Sequence, residues 1–165
     1  MIMDSSRHYR KLKFEELKSK YLRELEKEWA ETAASFDSIN ATESSFFVTS
    51  FLENGFKYID KLMDDLFKSE SMVPKREHLS EDYYSNLKVD MEELILKELE
   101  MIRSKVSNMF IFHTFSNLII MGIQAKEQSL VESIDRKIAL LKYETEHKLS
   151  QQPNPGTQLY VTGNF

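Results

Sequence analysis

One pair of side chains in this chain has a spacing typical of a metal site. Glu144 and His147 follow the Glu-x-x-His pattern, which places a carboxylate and an imidazole on one face of a helix. Di-iron helical bundles use two such motifs together with two further inward-facing glutamates. The chain has only one such motif, which is too few for a di-iron site. We therefore predict that Glu144 and His147 are a solvated pair and that the protein holds no metal and no cofactor. A bundle that holds a metal or ligand around this pair is the less favoured alternative.

Other side chains of catalytic type are also better explained without catalysis. His113 lies among apolar residues, where an imidazole usually fills a core or cap position, with a pH-responsive role as the alternative. Adjacent carboxylates such as Glu92 and Glu93 point about 100° apart on a helix, which suits a solvated face. The chain has no cysteine, Gly-rich phosphate loop or nucleophile elbow. We therefore expect a protein that is not an enzyme.

Cations interleaved with aromatic residues are concentrated at the start of the chain and could contact phosphates. The candidate phosphate ligands are Arg7, Arg10, Lys11, Lys13, Lys18 and Lys20. Interspersed glutamates favour ordinary helix ion pairs, and the net charge of −5 argues against a dedicated nucleic-acid binder. Because residues 60–100 are acidic, we also expect the basic start to meet this region of a neighbouring copy.

Helices must position these groups, because the 165 residues include only four glycines and three prolines. Apolar residues recur every three or four positions in four segments, which predicts amphipathic helices A to D. Gly55 within the stripe of helix B predicts close approach of a neighbouring helix. The breaks are expected at 37–41, 71–79 and about 113–117. The expected N-caps are Asn40 for helix B, Ser80 for helix C, and Thr114 or Ser116 for helix D.

The uncharged stretch 106–125 is open to several interpretations. Its amides and its histidine argue against a membrane span, and a lone strand would lack an obvious partner. One unbroken helix from Pro74 to Pro153 would need a coiled-coil partner along most of its length. A break near its middle gives four helices of similar length instead. We therefore predict an all-α fold: an antiparallel four-helix bundle of two long hairpins over 1–150.

The tail 151–165 differs from the rest of the chain, because a PNPG turn precedes the strand-like QLYVT. It is predicted to be a short extended tail or linker. Leu159, Tyr160 and Val161 are expected to pair with an exposed edge on a partner or another copy, and a disordered terminus is the alternative.

An excess of large apolar residues leads to the functional hypothesis, since exposed apolar clusters mark interaction surfaces. We expect a cytoplasmic, non-enzymatic scaffold or adaptor that self-associates, preferably as a dimer, and binds a protein partner. The expected contact residues are Phe110, Phe112 and Phe115, in addition to the tail. The alternative function is a nucleic-acid-binding accessory protein that uses the basic start of helix A.

Overall fold

The computed structural model describes residues 5–38, 44–80, 82–110 and 115–151. Its helices are α1 (Ser5–Ser38), α2 (Ser45–Ser71), α3 (Lys75–His78), α4 (Tyr83–Met109) and α5 (Ser116–Gln151). No strand occurs in these ranges.

Two antiparallel hairpins make up the bundle, as predicted. The first consists of α1 and α2 and the second of α4 and α5, and they meet mainly through α2 and α4. One end of the bundle therefore holds the start of α1, the end of α2, the start of α4 and the end of α5. We call this the N-terminal end, and the opposite end, where both hairpins turn, the hairpin end.

The core follows the apolar stripes. Helix α2 is buried over much of its circumference because it packs against α1, α4 and α5. Core side chains with no exposed surface are Val48, Ile59, Leu62, Leu87, Met91, Ile95, Ile102, Val106 and Ile134. Burial of this kind stabilises the fold by about 1.5–3 kcal/mol for each large apolar side chain.

Several helix starts differ from those predicted, because more than one residue type suited to an N-cap precedes each helix in the sequence. Helix α2 starts at Ser45, where the Ser44 hydroxyl accepts from the Phe47 amide at 3.2 Å, so Asn40 is not the cap. Helix α4 starts at Tyr83, with Asp82 rather than Ser80 at the N-cap position. Part of the predicted break at 71–79 forms α3, which the sequence did not indicate.

The uncharged stretch 106–125 contains the end of α4 and the start of α5, and it is not the centre of one long helix. Helix α4 ends at Met109 and α5 begins at Ser116. The helix lengths are less uniform than predicted: α2 and α4 have 27 residues each, whereas α1 has 34 and α5 has 36. None of the helices within the described ranges has an apolar stretch long enough to cross a lipid bilayer.

Gly55 marks the closest approach of α2 and α4. A Cβ atom added at this position would lie 2.7 Å from Ile102 Cγ2 and 3.0 Å from Ile102 Cδ1. Ile102 is fully buried and β-branched, so its Cγ2 has little freedom to move. The absence of a side chain at position 55 is therefore what allows the two hairpins to pack this closely.

We expect Gly55→Ala to lower the free energy of unfolding by about 1–3 kcal/mol, because overpacking outweighs the better helix propensity of alanine. Gly122→Ala is the matched control, since its added Cβ would meet only the flexible Leu52 Cδ1, at 3.3 Å. Urea unfolding followed by circular dichroism measures both. Equal stability changes in the two variants would contradict the close-packing explanation.

Candidate functional site

Charged side chains are buried where the two hairpins meet at the N-terminal end. Arg10 of α1 has a fully buried side chain that lies between carboxylates of α2 and α4. Its Nε donates to Glu70 Oε1 at 2.6 Å, and its Nη1 donates to Asp90 Oδ2 at 2.5 Å. Arg7 donates to both oxygens of Asp90, at 2.6 and 3.1 Å. We call Arg7, Arg10, Glu70 and Asp90 the ion cluster.

A shell of hydrogen-bonded polar groups surrounds the ion cluster. The Tyr83 hydroxyl donates to Glu70 Oε2, and the Tyr83 ring stacks on His78 with centroids 4.4 Å apart. His78 Nε2 lies 3.2 Å from the Glu70 carbonyl oxygen, and Nδ1 lies 3.0 Å from Thr145 Oγ1 of α5. Because a carbonyl oxygen only accepts, Nε2 carries the donated proton. All five helices therefore contribute to this one region.

The pKa values reflect mutual stabilisation of the charges. Burial opposes the charge on Arg10, but the hydrogen bonds and attraction of Glu70 and Asp90 outweigh it and raise the Arg10 pKa. Burial likewise opposes the charge on Asp90, but the hydrogen bonds from Arg7 and Arg10 dominate and lower its pKa. Burial, together with the charge of Glu70, raises the pKa of Tyr83. Arg10 and Asp90 are thus held in their charged forms and Tyr83 in its neutral form.

The ion cluster is suited to holding helices together. Among the described residues, every buried side-chain nitrogen or oxygen has a hydrogen-bond partner. Two cations face two anions, so the cluster carries no net charge. A carboxylate held by two guanidiniums, with a lowered pKa, is also a weak base. The geometry therefore indicates a structural clamp.

The predicted phosphate ligands have divided roles. Arg10 is buried, Arg7 pairs with Asp90, and Lys18 Nζ lies 3.3 Å from the buried Glu98 Oε2. These three cations meet the acidic 60–100 region within the same chain, whereas the sequence suggested a contact with a neighbouring copy. The remaining candidates, which lie towards the surface of α1, are Lys11, Lys13 and Lys20. Lys13 also pairs with Glu16 of its own helix, so four of the six proposed phosphate ligands make ion pairs within the chain.

Sequence reasoning missed the acidic half of the ion cluster, although a signal for it is present. Arg10 stands four residues before Phe14, and Glu70 stands four residues after Leu66. Asp90 stands three residues after Leu87, so all three continue the apolar stripes of their helices. A charged residue at a stripe position implies a buried partner of opposite charge.

Aromatic side chains close the core at the hairpin end. The Phe47 ring packs edge-on against Phe51 and Phe110, with centroids 4.7 and 5.1 Å away, and Phe110 in turn contacts Phe115 at 6.0 Å. Phe110 and Phe115, predicted to contact a partner, are half-buried here and pack against the core. Most of the aromatic excess read from the sequence is therefore used within the chain.

A groove of about 480 Å³ opens between α1 and α4 near this aromatic cluster. Phe47 and Phe51 of α2 line its depth, together with Trp29 of α1. The other lining residues are Glu26, Ala30 and Ala33 of α1 and Lys105 and Met109 of α4. We call it the α1–α4 groove. Its size is within the range of ligand and peptide pockets.

Exposed apolar side chains flank the same end of the bundle. Phe46 at the start of α2 is 76% exposed and Met109 at the end of α4 is 43% exposed. On the first turns of α5, Leu118, Ile120 and Met121 are exposed. We call these five residues, together with the α1–α4 groove, the apolar end surface.

Several predicted site residues lie outside the described ranges. They are Phe112, His113, Leu159, Tyr160 and Val161, and their predicted roles stay predictions. Glu144 and His147 are both exposed on α5, and the His147 ring stacks on Tyr143. Across the described residues, no group of three or more potential ligands is placed to hold a metal ion.

We expect Arg10→Met to lower the free energy of unfolding by about 3–5 kcal/mol, because it leaves a buried carboxylate without its main partner. Arg7→Met is the control: Arg7 is one-third exposed, and Asp90 would keep its bond to Arg10. Arg7→Met should lower the free energy of unfolding clearly less than Arg10→Met does. Urea unfolding measures both variants, and equal losses would argue against Arg10 as the centre of the clamp.

Acid should weaken the clamp. The pKa of Asp90 is lower in the folded than in the unfolded chain, so its contribution to stability is complete above the unfolded pKa and is lost as the pH falls through the folded pKa. We expect Asp90→Asn to be less stable at neutral pH and to lose less stability than wild type below about pH 4. Asp64→Asn, at an exposed aspartate paired with Lys137, should keep the wild-type pH slope. Urea titrations at several pH values measure these slopes, and a wild-type slope in Asp90→Asn would refute the assignment.

Comparisons with known proteins leave the function to be argued from this geometry. No protein family, curated protein or solved structure matches the chain.

Proposed function

We propose that the chain is a non-enzymatic helical scaffold that acts through self-association and through binding of a protein partner. The observation that carries this proposal is the apolar end surface. Met109 is exposed in the α1–α4 groove, and the other four large apolar side chains of this surface are exposed at the same end of the bundle. Exposed apolar clusters rimmed by polar residues are typical of interaction sites. A cytoplasmic location is part of the same proposal.

The charge distribution supports this choice of surface. The ordinary ion pairs of the chain lie along the helices, as between Lys126 and Asp60 or between Lys137 and Asp64. By contrast, the first three turns of α5 carry no charge from Ser116 to Ala125. Depletion of charge is a mark of interface cores, because a charged group loses its hydration there.

Two side chains on the floor of the α1–α4 groove are held in place by contacts with each other, which favours binding. Trp29 Nε1 donates to the Phe51 carbonyl at 3.0 Å, and the two rings stack with centroids 6.3 Å apart. Side chains that are already fixed lose little conformational entropy when a partner docks. The floor of the α1–α4 groove is thus pre-organised for binding.

Light scattering of the full chain at micromolar concentration is expected to give twice the mass of one chain. The double variant Met109→Glu/Met121→Glu places a carboxylate on each half of the apolar end surface. It should be monomeric, because association through either half would bury a charge. Circular dichroism should show that this double variant is folded, since both altered side chains are exposed.

The matched control is Leu140→Glu/Tyr143→Glu. These side chains are 56% and 65% exposed on the same helix α5 but lie towards the N-terminal end, so the dimer should persist. A wild-type monomer at every concentration tested would refute self-association. A control as disruptive as the double variant would refute the choice of surface.

A further inference from the structure

The α1–α4 groove has walls of opposite charge. Glu26 stands on the α1 wall and Lys105 on the α4 wall, and both side chains are exposed. Among the described residues, neither makes an ion pair, although most of the neighbouring charges do. One anion and one cation therefore face each other across the groove without being neutralised there.

The groove is also complementary to itself in size. Its α1 wall carries the small side chains Ala30 and Ala33, whereas its α4 wall carries Met109, which is 43% exposed. Methionine adapts to irregular apolar surfaces because it is unbranched and flexible. A large adaptable residue thus stands opposite two small ones.

A two-fold axis between two copies would match the opposite charges and also the large and small side chains of the two groove walls. An axis that runs along the groove, parallel to the helices, brings the α1 wall of one copy against the α4 wall of the other. Glu26 of each copy then faces Lys105 of the other, because both residues line the same groove. Symmetric dimers require this kind of self-complementary patch, in which residue i contacts j and j contacts i.

We propose that a second copy of the chain docks on the α1–α4 groove about this two-fold axis. Met109 of each copy packs against Ala30 and Ala33 of the other, and Glu26 of each copy pairs with Lys105 of the other. This inference rests on the proposed self-association and identifies where it occurs. It leaves Leu118, Ile120 and Met121 on α5 available for a different protein partner.

A charge-swap series tests the docking. Glu26→Lys and Lys105→Glu should each raise the dimer dissociation constant about tenfold or more at low salt, because each creates two like-charge contacts. The double swap Glu26→Lys/Lys105→Glu should restore dimerisation. Sedimentation or light scattering across a dilution series measures these constants. Wild-type affinity in both single variants, or no restoration in the double swap, would overturn the proposal.

A second series tests the apolar contact. Ala30→Trp should block the groove and Met109→Glu should place a charge in it, so each should shift the protein towards monomer. Met121→Glu alone should leave the dimer intact. If the wild type is a dimer that Met121→Glu disrupts and the groove variants do not, self-association stands and this docking site is wrong. If the wild type is a monomer, both proposals fall.

Discussion

A buried guanidinium is stable in a protein interior only when carboxylates replace the water it has lost. Arg10 meets that condition with groups from two other helices, Glu70 of α2 and Asp90 of α4. Because its planar fork accepts few arrangements, the three helices are held in one register at the N-terminal end. The polar shell of Tyr83 and His78 extends the same constraint to α3, and Thr145 extends it to α5. The apolar core supplies most of the stabilisation, but apolar stripes alone tolerate shifts of one helix along another that the ion cluster forbids.

The two ends of the bundle are built from different chemistry. At the N-terminal end, charges are paired within the chain and the basic start of α1 neutralises acids of α2 and α4. At the hairpin end, aromatic rings pack around a groove whose walls keep unneutralised charges of both signs. A bundle with one polar clamp and one apolar surface presents a partner with one preferred end, which is a useful property for a scaffold.

Periodicity of apolar residues was enough to predict the four long helices, the two hairpins and the close approach at Gly55, because burial of a stripe dominates the energetics of a helix. The helix starts were less predictable, since Ser44 and Asn40 are both residue types suited to an N-cap and apolar periodicity does not choose between them. The acidic partners of Arg10 were missed because they lie 60 and 80 residues away along the chain. The groove could not have been predicted at all, because it depends on the distance between α1 and α4. Stripe positions occupied by charges are the signal that would have revealed the ion cluster.

The distribution of the ion cluster along the chain has a kinetic consequence. Each hairpin can form from contacts between neighbouring helices, whereas the cluster needs α1, α2 and α4 together and so requires both hairpins to be docked. We therefore expect its bonds to form late, after the rate-limiting barrier to folding. Interactions that are absent from the transition state slow unfolding without accelerating folding. We therefore expect the ion cluster mainly to slow unfolding of the bundle. A chain without it should refold at a similar rate but unfold much faster.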